Sequence, residues 1–220
     1  MRSILFLIFT ISVFSLCAQD EAVLPKDVTI SIGAGKNRFY EDREFILAAP
    51  LEVPILLNFG IFKNTELGLE FAPLFFNDKS AYNLSTEIDS TKNHFGGNIL
   101  SFNSQIQHSL INTFRLSAYV QAGGGYTSLH KKQIIIGDLN ELIGDGYSYS
   151  FGGGLRYQLG NEYNDVYPWF FDFSLVYTRF KFIISEYTIN GETQPASDKS
   201  WKPLNFGSID VILRLGYRFR

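Results

Sequence analysis

The chain closes on IDVILRLGYRFR, Ile209 to Arg220, and this stretch decides the fold. Ile209, Val211, Leu213, Leu215, Tyr217 and Phe219 stand on odd positions, whereas Asp210, Arg214, Gly216 and Arg218 stand on even ones. Alternation over more than ten residues, broken only by Ile212 on an even position, places one apolar face and one largely polar face on a single extended strand, because successive side chains of a strand point to opposite sides. An α-helix with this sequence would scatter the charges around its circumference.

Working outward from the C-terminus, the same period of two recurs. Trp169 to Phe182 sets Trp169, Phe171, Phe173, Leu175 and Tyr177 on one face. Tyr147 to Gly160 carries Tyr147, Tyr149, Phe151, Leu155, Tyr157 and Leu159, and Phe114 to Leu129 carries Phe114, Leu116, Ala118, Val120 and Ala122. Gly97 to His108 (Leu100, Phe102, Ile106), Thr65 to Phe76 (Leu67, Leu69, Phe71), Ile55 to Ile61 and Val28 to Ala34 complete about eight strands. No segment after the N-terminus is apolar for long enough to cross a bilayer as a helix.

The connections alternate in length. Residues 36–50, 77–95, 130–146 and 183–203 are long and polar, while 62–64, 110–113 and 161–166 are short. That order is expected of an up-and-down barrel in an outer membrane, with short periplasmic turns, longer external loops and both termini in the periplasm. The face opposite the apolar one agrees. It carries Thr29, Ser31, Asn58, Ser101, Asn103, Gln105, Gln107, Ser117, Gln121, Ser148, Ser150, Gln158 and Ser174 rather than the lysines and glutamates of a water-facing sheet, as a narrow lumen filled by side chains would. The fold class is therefore all-β, an eight-stranded antiparallel up-and-down transmembrane β-barrel.

The N-terminal MRSILFLIFTISVFSLCAQD has Arg2 ahead of an apolar run and small residues at Cys17-Ala18, the pattern of a secretory signal peptide. Residues 1–18 are read as signal peptide and 19–220 as one barrel domain. Cleavage before Gln19 removes the single cysteine, leaving no disulfide or thiol chemistry. With a net charge of −3 and no basic cluster, the chain is not expected to bind nucleic acid.

With its leader, alternating strands, loop order and closing Val211–Phe219 run, the chain resembles the small outer-membrane β-barrel family of OmpX and the OmpA transmembrane domain, within the porin superfamily. Such barrels usually finish on an aromatic residue read by the insertion machinery; here Phe219 is penultimate and Arg220 last. The resemblance implies the outer membrane of a Gram-negative bacterium, with outer-membrane lipid and lipopolysaccharide as surroundings. It implies a location better than an activity, since the fold hosts many functions.

The search for chemistry finds little. The glycine triplets AGGGY (Ala122 to Tyr126) and FGGGL (Phe151 to Leu155) sit inside strands, and no helical pattern follows either, so neither is a phosphate loop. Glycine there marks a bend, a close backbone approach or room for a large side chain across the lumen. A two-residue turn at Asp138-Leu139 would set Gly124 opposite Gly153 and merge the triplets into one patch. On the inferred lumen face Glu66, Glu70, Asp172 and Asp210 balance Arg115, Arg156, Arg214 and Arg218. These eight are expected to form a structural plug, with acid/base chemistry by Glu66 and Glu70 or a narrow gated pore as alternatives.

His94, His108 and His130 show no metal spacing. His130 beside Ser128 near the external rim is the pair a lipid-modifying enzyme would use. No catalytic, cofactor-binding or metal-binding residue is assigned, and no cofactor is expected. The expected function is a non-enzymatic envelope-structural or surface-binding barrel, with a protein partner at the external loops or in a larger envelope complex; a lipid-modifying enzyme and a gated pore are the alternatives. The Asn190-Gly191 turn signal predicts a ribbon projecting outside. A bulge at Thr178-Arg179 would turn Phe180 and Phe182 outward as interfacial aromatics, and Ile183, Ile184 and Ile189 would lie exposed.

Overall fold

A computed structural model describes residues 27–40, 51–62, 64–78, 94–113, 115–135, 138–159, 168–189, 192–195 and 203–219. The expected leader and residues 19–26 lie outside this set. Among the described residues ten strands form one closed antiparallel sheet: β1 (Val28–Tyr40), β2 (Leu51–Glu52), β3 (Ile55–Phe62), β4 (Thr65–Asp78), β5 (His94–Asn112), β6 (Leu116–Ile135), β7 (Asp138–Leu159), β8 (Trp169–Ile189), β9 (Glu192–Pro195) and β10 (Leu204–Phe219). Eight positions make the ring. β2 and β3 share one, separated by Val53 and Pro54, because a proline nitrogen cannot donate to a ladder. Among the described residues β9 pairs with β8 alone, as the second arm of an external hairpin.

β10 closes the ring by pairing β8 on one side and β1 on the other. Following Cα partners from Ile30 through Leu57, Leu69, Ser104, Gly124, Tyr149, Arg179 and Gly207 returns to β1 at Tyr40, ten residues above the start. This stagger tilts the strands to roughly 45° and leaves an interior narrow enough for side chains to fill.

The face assignment holds on every strand. Ile32, Leu69, Phe102, Phe151, Phe173, Leu175 and Leu213 point outward and are about half exposed, whereas Thr29, Asn58, Ser101, Gln105, Gln107, Gln121, Ser148 and Ser174 are buried inside. An outward apolar band with a closed ladder suits lipid, which cannot hydrogen-bond a free backbone group. Trp169, Tyr217 and Phe219 cluster near the rim that the loop order assigns to the periplasm, with rings 4.9 to 5.0 Å apart. Tyr126, Tyr147 and Tyr149 mark the opposite rim. Leu213→Arg, midway between these rims, is expected to cost about 2–4 kcal/mol, and Ile183→Arg, above the external rim, about 0–1 kcal/mol. Urea unfolding of the refolded barrels measures both, and equal costs would refute the position of the band.

Three expectations about local register are corrected. The segment 130–146 is largely strand, since β6 and β7 run on until Ile135 faces Asp138. The turn thus precedes Asp138-Leu139, and the triplets slide apart by four residues, so that Gly124 faces Tyr149 and Gly153 faces Val120. No merged patch forms. A Cβ on Gly154 would stand 2.5 Å from the Tyr119 hydroxyl, so this glycine instead makes room for an inward tyrosine.

The second correction concerns β8, which pairs without interruption through Thr178 and Arg179 to both neighbours. Its extra residue is Ser185, between Ile184, which faces Gly144, and Glu186, which faces Ile143. Phe180 and Phe182 therefore keep the inward parity of Thr178. Third, Ile183 is 60% exposed as expected, but Ile184 is buried. The side chain of Ile189 and residues Asn190 and Gly191 lie outside the described set, although Ile189 faces Glu192 across the expected two-residue gap.

Candidate functional site: the lumen and its external extension

The inner face stacks into three storeys. In the lowest, Arg156 of β7 donates from Nη1 to both oxygens of Glu66 at 2.9 and 3.1 Å and from Nε to Asp172 at 3.4 Å. Arg214 of β10 donates to Glu70 at 3.0 Å, to Asp172 at 3.3 Å and to the Ser174 hydroxyl at 2.9 Å. Asp172 also accepts from the Tyr119 hydroxyl at 2.7 Å. One carboxylate thus joins two guanidinium groups that are each almost wholly buried. Strand parity explains the convergence, since all these residues occupy inward positions of β4, β6, β7, β8 and β10. The Arg156 guanidinium also lies 4.7 Å from the centre of the Phe170 ring, and that ring fits only because Gly216 beside it has no side chain.

Of the eight lumen residues expected from sequence, Glu66, Glu70, Arg156, Asp172 and Arg214 form this one network. Asp210 lies higher and accepts from Asn37 at 2.7 Å and Thr178 at 2.9 Å instead of from an arginine. Arg115 lies near the periplasmic end, outside that network. Arg218 lines a cavity of about 450 Å³ at the periplasmic mouth with Asp27, Glu66, Ser117 and Arg156. Sequence reasoning missed Glu52, which accepts from Asn37 at 3.1 Å, and the hydroxyl of Tyr119.

The top storey was also missed. Leu74, Phe76, Ile99, Leu129, Phe180, Phe182 and Phe206 meet inside the external mouth as one buried apolar cluster. Phe182 stacks on Phe180 at 6.0 Å and on Phe206 at 5.6 Å. These residues fill the external mouth above the charged network. Above them β6, β7 and β8, of 20, 22 and 21 residues, continue well past the roughly 9–11 residues that a tilted strand needs to cross a bilayer. They form a ribbon standing beyond the external rim.

Ser128 and His130 both lie on the outward face of β6. His130 Nε2 stands 3.6 Å from Glu141, and no hydrogen bond joins it to Ser128 among the described residues. His108 contacts Thr65 at 3.0 Å at the periplasmic end. The side chain of His94 lies outside the described set. No cluster of three metal-ligating side chains occurs among the described residues.

No protein-family model matches the chain, and no curated protein matches its sequence significantly. Solved structures do match its shape. Neisserial surface protein A aligns with a TM-score of 0.53 at 8% identity, over 87% of this chain and 97% of that one. The attachment invasion locus protein of Yersinia pestis, solved with the heparin analogue sucrose octasulfate, aligns with a TM-score of 0.53 at 17% identity over 88% and 98%. A major outer membrane protein of Thermus thermophilus aligns with a TM-score of 0.54 at 9% identity over 87% and 99%. The fold is that of the small eight-stranded outer-membrane β-barrels.

Proposed function

We propose that this chain is a non-enzymatic outer-membrane barrel of a Gram-negative cell that presents a rigid external ribbon for surface contact. One observation carries the reading: β6 to β8 extend as continuous strands above a lumen crossed by the arginine network and packed at its external mouth by apolar side chains. A pore-former invests its interior in a passage, whereas here the lumen holds crossed ion pairs below and packed aromatics above. The ordered material that remains for function stands outside.

The external rim suits lipopolysaccharide. Lys181 lies 5.6 Å from the centre of the Tyr147 ring, Arg179 shares its outward face, and Lys36 and Arg38 are exposed on β1. Cations among interfacial tyrosines are placed to meet lipid phosphates. The ribbon above them is the expected contact for a protein partner or for a larger envelope complex. The Ser128–His130 pair lacks the mutual hydrogen bond by which a base activates a nucleophile, which favours contact over lipid modification.

An epitope inserted between Ile135 and Asp138 tests the orientation. Antibody should label intact producing cells. Labelling only after permeabilisation would reverse the barrel and remove the ribbon from the surface. Surface labelling retained by cells whose Asp145→Ala, Ile183→Ser variant has lost contact with a partner would trace that contact to the ribbon.

A further inference from the structure

Two buried acids stand apart from the arginine network. Glu52 of β2 and Asp210 of β10 are 8% and 3% exposed, and both accept from a single amide nitrogen, Asn37 Nδ2, at 3.1 and 2.7 Å. No lysine, arginine or histidine stands within ion-pair distance of either among the described residues. The charged groups facing them are Glu70 from β4 and Arg214 from β10, across a polar cavity of about 20 Å³. Arg214 is already engaged by Glu70 and Asp172. β5, β6, β7 and β8 contribute only neutral side chains, among them Ser101, Asn103, Gln121, Ser150 and Thr178.

Hydrogen-bond accounting points the same way. Gln121 Oε1, on the cavity, and Asn37 Oδ1 are buried acceptors without a donor. Arg214 Nε, on the same cavity, is a buried donor without an acceptor, so two spare acceptors stand against one spare donor, and buried polar groups seldom remain unpaired. Asp210 also accepts from the Thr178 hydroxyl at 2.9 Å, but two carboxylates that share one amide, shielded from water and without a cation of their own among the described residues, are not both stable as anions. One proton removes a charge and supplies a missing donor in the same step. No cluster of three metal-ligating side chains includes these carboxylates among the described residues, which favours a proton over a metal ion.

We propose that Glu52 and Asp210 form a proton-binding site that holds one proton at neutral pH and that locks β2 into the external mouth. β2 is only two residues long and is held at Gly35 and Lys36 on one side and Leu74 and Phe75 on the other. When alkali removes the proton, repulsion between Glu52 and Asp210 acts directly on this short strand. The unfolded chain carries no such proton near neutral pH, so folding binds one and stability falls as pH rises.

Infrared spectra of the refolded barrel at neutral pH test the site. The carbonyl stretch of a protonated carboxyl, shifted in D₂O, should appear in the wild type and in Glu66→Gln and disappear in both Glu52→Gln and Asp210→Asn. Unfolding in urea should accelerate about tenfold between neutral pH and about pH 10 in the wild type and stay level in Glu52→Gln. A single cavity water would satisfy the acceptors while leaving both acids ionised, so absence of the band overturns the proposal. So does a band that survives both substitutions. The wild-type spectrum decides the matter even where a variant does not refold. A wild-type rate as level as that of Glu52→Gln would overturn the coupling to β2.

Discussion

Asp172→Ala is expected to destabilise the refolded barrel by about 3–5 kcal/mol, because it removes one partner of a buried ion network and leaves the others in place. Asp172 is 1% exposed and accepts from Arg156, Arg214 and the Tyr119 hydroxyl. Alanine supplies no acceptor and no room for the guanidinium groups to find water. Asp172→Asn separates charge from hydrogen bonding. In the native network two arginines face three carboxylates, so the asparagine variant leaves two against two while keeping an oxygen for Tyr119. Its cost should stay near that of a lost charge-assisted bond, about 1.5–3 kcal/mol. The comparison uses urea unfolding at neutral pH. If both variants lose the same amount, charge is what the site needs; if neither loses more than about 0.5 kcal/mol, the network contributes no stability and its place in the lumen is unexplained.

Much of this arrangement was legible in the sequence because lipid and lumen impose opposite demands on alternate residues. Parity alone put Asp172, Arg214 and Arg156 inside and Phe173, Leu213 and Leu155 outside. Parity has a blind spot, however. It is unchanged when two strands slide by an even number of residues. The four-residue displacement that parts Gly124 from Gly153 leaves every side chain on its proper face, so alternation cannot detect it. Glu52 was invisible for a related reason, since a two-residue strand ahead of Pro54 is too short to alternate. Phe180 and Phe182 show a different failure. Their inward parity is readable from Thr178, but the general preference of aromatics for the membrane interface points the other way. What decides their place is the shape of the mouth. Leu74, Ile99, Leu129 and Phe206 come from four other strands, and only the closed ring brings them together.

That mouth gives the second large effect. Phe182 is fully buried between Phe180 and Phe206, and Phe182→Ala should cost about 3–5 kcal/mol, combining lost transfer energy with a cavity that rigid strands cannot collapse. The same substitution probes conduction. The aromatic seal lies above the Arg214–Glu70 and Arg156–Glu66 pairs along a single path, and barriers in series each suffice to stop an ion. Conductance in planar bilayers is therefore expected to be negligible for the wild type, for Phe182→Ala and for Glu70→Ala taken singly. Each single variant leaves one barrier whole, and only the double variant breaches both storeys. Steady channels from the wild type would show that the lumen is not filled. Channels from Phe182→Ala alone would show that the charged storey is permeable and that the aromatics are the sole seal. Channels from Glu70→Ala alone would show the converse, that ions pass the packed rings and that the arginine network is the gate.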